Sequence, residues 1–198
     1  MAIVRKIIEK RLSGERLSLE DGIVLYQGDL LTLGKAADTF RRQLHPASTV
    51  TFVIDHLIAY TNVCVDDCVF CNFYAVPNTP KADVMPKEQI FKRIQNLVDA
   101  GGTQVMLQGG VNPQLDLDYY IDLLSSIRAK FPQVYLHCFS PSELDMIARK
   151  ARLDIREALR RLKAAGLQAV PGAGAEILVA RVRNIISPKK ISAERWLD

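Results

Sequence analysis

From Thr49 onward, short β-branched or aromatic runs alternate with amphipathic stretches of helical period, and this alternation limits the chain more than any other feature. Thr49 to Tyr60 reads as a strand that leads into a cysteine-bearing loop. Residues 87–100 read as a helix, with Pro86 at its first turn, Ile90, Phe91, Ile94, Leu97 and Val98 on one face, and Gly101-Gly102 closing it. Gln104 to Leu107 leads into Gln108-Gly109-Gly110 and a helix over about 117–130. Val134 to Phe139 leads into Ser140-Pro141, where Ser140, Pro141 and Glu143 spell a capping box with proline at the first helical position. A second box, Asp154 to Glu157, opens a helix carrying Ile155, Leu159 and Leu162, and Leu167 to Val170 then runs into Pro171-Gly172-Ala173-Gly174-Ala175-Glu176. Strands separated by helices belong to a parallel sheet, because a parallel return needs a long crossover.

Four such units make about half of an eight-unit TIM-type α/β barrel. Each of the four unusual loops follows the carboxyl end of a strand, so the cysteine loop, the QGG turn, the FSP turn and the GAGAE loop are expected on one face, where such barrels keep their active sites. Residues 1–48 read as an N-terminal helical extension: Ile3, Ile7, Ile8 and Leu12, then Leu19, Ile23, Val24 and Tyr26, then Leu33, Ala36, Ala37 and Phe40 recur at helical spacing, and His45-Pro46 ends the run. The expected domains are therefore 1–48 and a partial barrel over 49–198. About 150 residues follow the extension, against roughly 250 in a typical complete barrel, and the last readable element starts at Ser192 and reaches Asp198 without a stop signal. The expectation is a C-terminally truncated half-barrel with an unpaired strand edge and an uncovered helix face.

Composition narrows the class. Hydrophobic residues make up 48% of the chain, enough for a core, and the formal charge of +4 is scattered, which argues against a nucleic-acid surface. No apolar run approaches the roughly 20 residues needed to span a bilayer. Three of the four cysteines fall within eight residues, a poor disulfide framework and a good ligand set for a reducing, cytoplasmic compartment.

Cys64, Cys68 and Cys71 are spaced C-x3-C-x2-C, with Phe70 just before the last. Three thiolates in one loop can ligate three irons of a 4Fe-4S cubane and leave the fourth open to a small molecule, whereas four thiolates suit electron transfer. A zinc-stabilised binding module is the alternative; it would need a fourth ligand, for which His137 or Cys138 is available, but zinc knuckles usually carry a second downstream pair that is missing here.

The loop from Asn62 to Cys71 in this βα context resembles the hallmark of the radical S-adenosylmethionine (SAM) superfamily, from about Thr49 to the end of the chain. The resemblance implies a 4Fe-4S cluster on Cys64, Cys68 and Cys71 and SAM on the open iron. It also implies that Gly109 and Gly110 present backbone groups to the methionine amino group, that Phe70 flanks the adenine, and that Glu176 lies near the ribose. Within the superfamily, ERLSLEDGIVL, VTFVIDHLIAYTNVCVDDCVFCNFYAV, GGTQVMLQGGVNPQLDLDYYIDLL, FPQVYLHCFSPSEL and LKAAGLQAVPGAGAEILVARVRNIISPKKISAERWLD resemble the cyclic dehypoxanthinyl futalosine synthases of menaquinone biosynthesis. That subgroup implies an adenosyl-radical cyclisation of a nucleoside-derived small molecule, a one-electron donor such as flavodoxin or ferredoxin, and no nucleic-acid partner. His137 and Ser140 are then the candidates for substrate contact. Aminofutalosine synthases and deazaflavin synthases share the cluster loop, QGG and SP blocks, and an inactive remnant is a further reading. The chain departs from the subgroup at His56, Leu57 and Ala59, where polar residues are usual, at Ala75-Val76, where basic residues are common, and at Ala173, where glycine is usual.

Overall fold

The computed structural model describes residues 2–198, which form two compact units, one up to Phe52 and the other Val53–Asp198. The first holds three helices, α1 (Ala2–Leu12), α2 (Leu19–Tyr26) and α3 (Leu30–Leu44). Ser18 and Asp21 close a capping box on α2, and Asp29 caps α3 by accepting from the Thr32 N–H at 2.8 Å. Ile7 is buried among the helices, the Arg11 guanidinium lies 3.8 Å from the Phe40 ring centroid, and Lys10 pairs with Asp21 at 2.6 Å.

The second unit is an α/β layer structure. Strands β1 (Asp55–Ile58), β2 (Gln104–Leu107) and β3 (Tyr135–Cys138) form a parallel sheet in sequence order. The crossovers run through α4 (Lys87–Asp99) and α5 (Leu117–Lys130), and α6 (Pro141–Ala151) and α7 (Ile155–Ala165) follow β3. The register aligns Leu57, Met106 and His137 in one row, and Ile58, Leu107 and Cys138 in the next. Since successive side chains alternate between faces, Ile58, Leu107 and Cys138 enter the core beneath the helices, joined by Val105 and Leu136. Ile90, Ile94, Tyr120, Leu123, Leu124, Ile127, Ile147 and Leu162 complete that core. The opposite face, carrying Leu57, Met106 and His137, is the concave side of a partial barrel.

Two strands are shorter than their apolar content suggests. Thr49–Ile54 is irregular and exposes Val50 and Phe52, because β2 offers only four partners, starting opposite Asp55. The fourth strand, expected over 167–170, is reduced to a single parallel bridge between His137 and Ala169. There the Gln168 side-chain carbonyl accepts from the Leu136 N–H at 2.9 Å, and a side chain replaces a main-chain rung. Two short helices follow, α8 (Ala180–Ile186), which the periodicity did not reveal, and α9 (Ala193–Leu197), capped by Ser192 as expected. Among the described residues no helix is long and apolar enough to cross a membrane.

Candidate active site

Beyond β1 the chain folds back on itself to build the cysteine loop. Met85 donates to the Tyr60 carbonyl at 2.8 Å, Ala75 to Asn62 at 2.8 Å, and Cys64 to Ala75 at 3.1 Å, so the first cysteine leaves a hydrogen-bonded frame rather than a free loop. Asp67 takes the left-handed conformation (φ 52°), and Cys71 donates to the Cys68 carbonyl at 3.0 Å, which turns the second and third cysteines together. The loop is fastened from outside: Asp67 accepts from Tyr74 at 2.6 Å and Lys189 at 3.0 Å, and Val69 donates to the Ile186 carbonyl at the end of α8.

Cys64, Cys68 and Cys71 are free thiols and line one cavity of about 340 Å³ at the carboxyl end of the sheet, together with Phe70, Gly109, Gly110, Ser140 and Lys190. Leu57 and Ala59 give this cavity an apolar wall. A larger groove, of about 710 Å³, lies away from the cysteines against α6, α7 and α9.

The QGG turn lies hard against the cysteine strand, and that contact is why both residues are glycine. A Cβ on Gly110 would sit 2.3 Å from the Val63 carbonyl oxygen and 2.8 Å from Cys64 Cβ; one on Gly109 would meet Thr61 Cγ2 at 2.8 Å. The close approach lets the Val111 N–H donate to Cys64 Sγ at 3.3 Å, alongside the Asp66 N–H at 3.5 Å. Burial pushes the Cys64 thiol up, and these two N–H groups oppose that rise. Asp66 is itself buried, with Oδ2 unpartnered, and burial pushes its carboxyl up to about 6.

Behind the QGG turn stands Glu143, fully buried. Its carboxylate accepts from Tyr60 Oη at 2.5 Å, Gly109 N at 3.0 Å, Ser140 N at 2.7 Å and Ser140 Oγ at 2.7 Å. One side chain thus joins the ends of all three strands. Burial pushes its carboxyl up, while the hydrogen bonds favour the ionised form. Phe139, left-handed at φ 62°, makes the turn that puts Ser140 at the cap, and its ring packs edge-on against Tyr60 and Tyr120 at 5.9 and 5.1 Å.

On the far side, Lys190 reaches into the cavity and donates to Glu176 Oε1 at 2.9 Å; Glu176 does not line the cavity. Arg183, 3% exposed, donates to the carbonyls of Gly174, Ala175, Ile177 and Ile191, and so fixes the two loops that carry Glu176 and Lys190.

The structure therefore gathers the three cysteines, Phe70, Gly109, Gly110 and Ser140 around one space. Ser140 Oγ is already engaged, donating to Glu143 and accepting from its N–H. His137 is half-buried on the concave face, in the row of Leu57, and outside the cavity lining. Sequence reasoning read Glu143 as a cap alone and Lys190 as part of the scattered surface charge, and did not single out Arg183. The capping spacing was the one signal that pointed to Glu143; nothing local in PKKIS marks Lys190 as turned inward.

These residues fit a cluster with three protein ligands: free thiols facing a common cavity, N–H donors already aimed at one sulfur, and a glycine cradle that any Cβ would fill. The fourth ligand that zinc needs is not supplied by Cys138, which lies in the core beneath the helices with its thiol pushed up to about 12 by burial, nor by His137, which is outside the cavity lining.

Comparison with known proteins agrees. The chain is 43% identical over 97% of its length to a cyclic dehypoxanthine futalosine synthase of Halalkalibacterium halodurans, of which it covers 52%. It is 40% identical, over its whole length, to one from Streptomyces coelicolor, of which it covers 50%. It is also 37% identical to a 5-amino-6-(D-ribitylamino)uracil–L-tyrosine 4-hydroxyphenyl transferase of a Synechocystis species, with 100% of this chain and 53% of that protein aligned. The chain thus spans about half the length of the curated relatives it matches. In fold it is similar to the [FeFe]-hydrogenase maturase HydG, at a TM-score of 0.74 with 16% identity over 99% of this chain and 42% of that one. Methylornithine synthase (PylB) superposes at 0.54 with 16% identity, over 82% of this chain and 57% of that one. The profile of the radical SAM superfamily matches residues 58–198, the whole of the second unit from the end of β1 onward, and the chain belongs to that superfamily.

Proposed function

We propose that this chain carries the cluster- and SAM-binding part of an enzyme that cyclises dehypoxanthine futalosine to cyclic dehypoxanthinyl futalosine in menaquinone biosynthesis. The observation that carries the proposal is the cavity onto which Cys64, Cys68 and Cys71 open beside Gly109-Gly110; the choice of substrate rests on the relatives named above. Cys64, Cys68 and Cys71 would hold a 4Fe-4S cluster, Gly109 and Gly110 the methionine end of SAM, Phe70 the adenine, and Glu176 the ribose side. Bound there, the two groups supply hydrogen-atom abstraction from the substrate through a 5′-deoxyadenosyl radical.

The protein's own part is placement. Glu143 holds the Gly109 N–H at 3.0 Å and so fixes the QGG turn beside the first cysteine. Leu57 and Ala59 line the cavity with apolar surface that keeps water from a reactive intermediate. His137 and Ser140, at the end of β3, are the candidates for substrate contact, Ser140 from the cavity wall and His137 from the concave face outside its lining. The electron comes from a one-electron donor of the flavodoxin or ferredoxin class, and a reducing cytoplasm suits three unpaired thiols in one loop.

Anaerobic reconstitution with iron and sulfide should give broad visible charge-transfer absorption that is lost in Cys71→Ser. With SAM and a strong reductant the loaded chain should release 5′-deoxyadenosine, and with dehypoxanthine futalosine it should form the spirocyclic product, read by mass spectrometry. A colourless protein binding one zinc would refute the cluster. Turnover of a ribitylaminouracil with tyrosine would assign the chain instead to the transferase activity named for its 37% identical relative.

A further inference from the structure

We propose that Lys190 is a fixed positive charge of the cysteine cavity, held by Glu176, that raises the reduction potential of the cluster on Cys64, Cys68 and Cys71; this rests on the cluster reading above. Lys189 and Lys190 are adjacent but not equivalent. The Lys189 side chain is 61% exposed and pairs with Asp67, whereas that of Lys190 is 11% exposed and lines the cavity with the three thiols. Its ammonium lies 5.8 Å from the Phe70 ring centroid, beside the last cysteine of the loop.

An ammonium taken out of water is costly unless it is paired. Lys190 forms one ion pair, with Glu176 Oε1 at 2.9 Å, which lies outside the cavity lining; the buried Asp66 carboxyl shares the lining but makes no hydrogen bond to the ammonium. The pair therefore presents its positive end to the sulfurs. Burial opposes the charge on Lys190, but Glu176, Cys68 and Asp66 together hold its ammonium above the ordinary lysine value, so it stays cationic.

The arrangement is held firmly. Arg183 ties the Gly174, Ala175 and Ile177 carbonyls to that of Ile191, and its Nη1 stands 3.8 Å from Glu176 Oε2. Glu176 adopts a left-handed backbone (φ 39°), a strained conformation for a residue with a side chain, which the surrounding bonds maintain.

Reduction of the cluster moves one electron from an external donor of the ferredoxin or flavodoxin class onto iron and sulfur, with no bond or proton exchanged. The bound group becomes more negative by one charge. A cation on the cavity wall, whose paired carboxylate lies outside the lining, favours the reduced state, since net charge and local dielectric set such potentials.

The test is a potentiometric titration of the reconstituted cluster without SAM or substrate, followed by the paramagnetic signal of the reduced form, in wild type, Lys190→Met, Lys190→Arg and Glu176→Gln. At a fixed solution potential, Lys190→Met should lower the ratio of reduced to oxidised cluster about tenfold, ~59 mV for a one-electron couple. Lys190→Arg should stay within about twofold of wild type, and Glu176→Gln, which removes a negative charge, should raise the ratio. Equal midpoints in wild type and Lys190→Met at equal iron and sulfide content, or a fall in Lys190→Arg matching that in Lys190→Met, would overturn the inference and leave the cluster reading standing. A wild-type chain that takes up no cluster would overturn both.

Discussion

Replacing Glu143 with leucine tests the fold and the site together. The carboxylate is fully buried and accepts four hydrogen bonds, from Tyr60 Oη, Gly109 N, Ser140 N and Ser140 Oγ. Leucine occupies nearly the same volume and accepts none. The Ser140 hydroxyl can rotate toward the cavity it borders, but Tyr60 Oη is fully buried and the Gly109 N–H is fixed in a turn that lies against Thr61. Two donors orphaned at about 1–3 kcal/mol each, plus about 1 kcal/mol for the lost helix cap, give a gross cost of about 3–7 kcal/mol. Burying a leucine in place of a carboxylate that burial disfavours returns about 1–2 kcal/mol. The net expectation is a loss of about 1–6 kcal/mol, centred on about 3–4 kcal/mol.

Glu143→Gln separates charge from shape. One oxygen remains to accept, while the amide NH2 faces a fixed N–H donor on the other side, so the expected loss is smaller, about 1–3 kcal/mol. Urea unfolding of the cluster-free chain, followed by far-ultraviolet circular dichroism, measures both. A cost below about 1 kcal/mol for Glu143→Leu would mean that the four bonds add nothing over an apolar core, and would refute the reasoning. So would a Glu143→Gln variant as unstable as Glu143→Leu. Coupling between Tyr60→Phe and Glu143→Gln in a double-mutant cycle should fall in the range of about 0.5–3 kcal/mol expected for bonded neighbours.

Gly110→Ala places a methyl group 2.3 Å from the Val63 carbonyl oxygen and should cost about 1–3 kcal/mol by overpacking, while cutting iron uptake because Cys64 must move; thermal melting and iron content check the two effects separately. Leu124→Ala, in the centre of α5 at 0% exposure, should cost about 2–5 kcal/mol in the same urea assay with iron binding unaffected once the protein is folded. In the cluster-free chain the Asp66 carboxyl, about 6 when folded against 3.8 as its ordinary value, keeps its proton longer in the native state. Its contribution to stability is therefore present below the ordinary value and is lost as pH rises through the folded one. The melting temperature of Asp66→Asn should gain on wild type between about pH 4 and pH 7, and parallel pH curves would contradict this.

The helices α5, α6 and α7 were legible because their starts are written in local chemistry, whereas α8, with no side-chain cap, was not. Ser140-Pro141 with Glu143, Asp116 before Leu117 and Asp154 before Ile155 are caps readable from local chemistry, and all three form. The strands were less legible because their length depends on partners. Thr49–Ile54 has the composition of a strand but only the Ile54 carbonyl finds a main-chain partner, the Thr103 N–H at 3.2 Å, and Gln168 trades a main-chain rung for a side-chain one. Asp154 also shows the limit of a motif: it caps α7, but Glu157 does not reach back to complete the box and pairs instead with Arg160 and Arg161.

The site followed the same division. The cysteines, the glycines and Phe70 announce themselves by spacing within a few residues, and they line one cavity. Glu143 and Lys190 matter through partners 34 to 83 residues away for the glutamate and 14 for the lysine, so no local window contains their role. Glu143 shows why such residues are misread. A glutamate at the third position of a helix that starts with Ser-Pro is fully explained as a cap, and the explanation is correct. The same carboxylate has two oxygens, however, and while Oε2 satisfies the cap, Oε1 takes Tyr60 and Gly109. Starting α6 and setting the QGG turn against the cysteine strand are then one act of hydrogen bonding. A substitution that spared the cap but displaced Oε1 would leave the helix intact yet orphan Tyr60 and Gly109, so thermal stability and cluster binding should fall together at this residue.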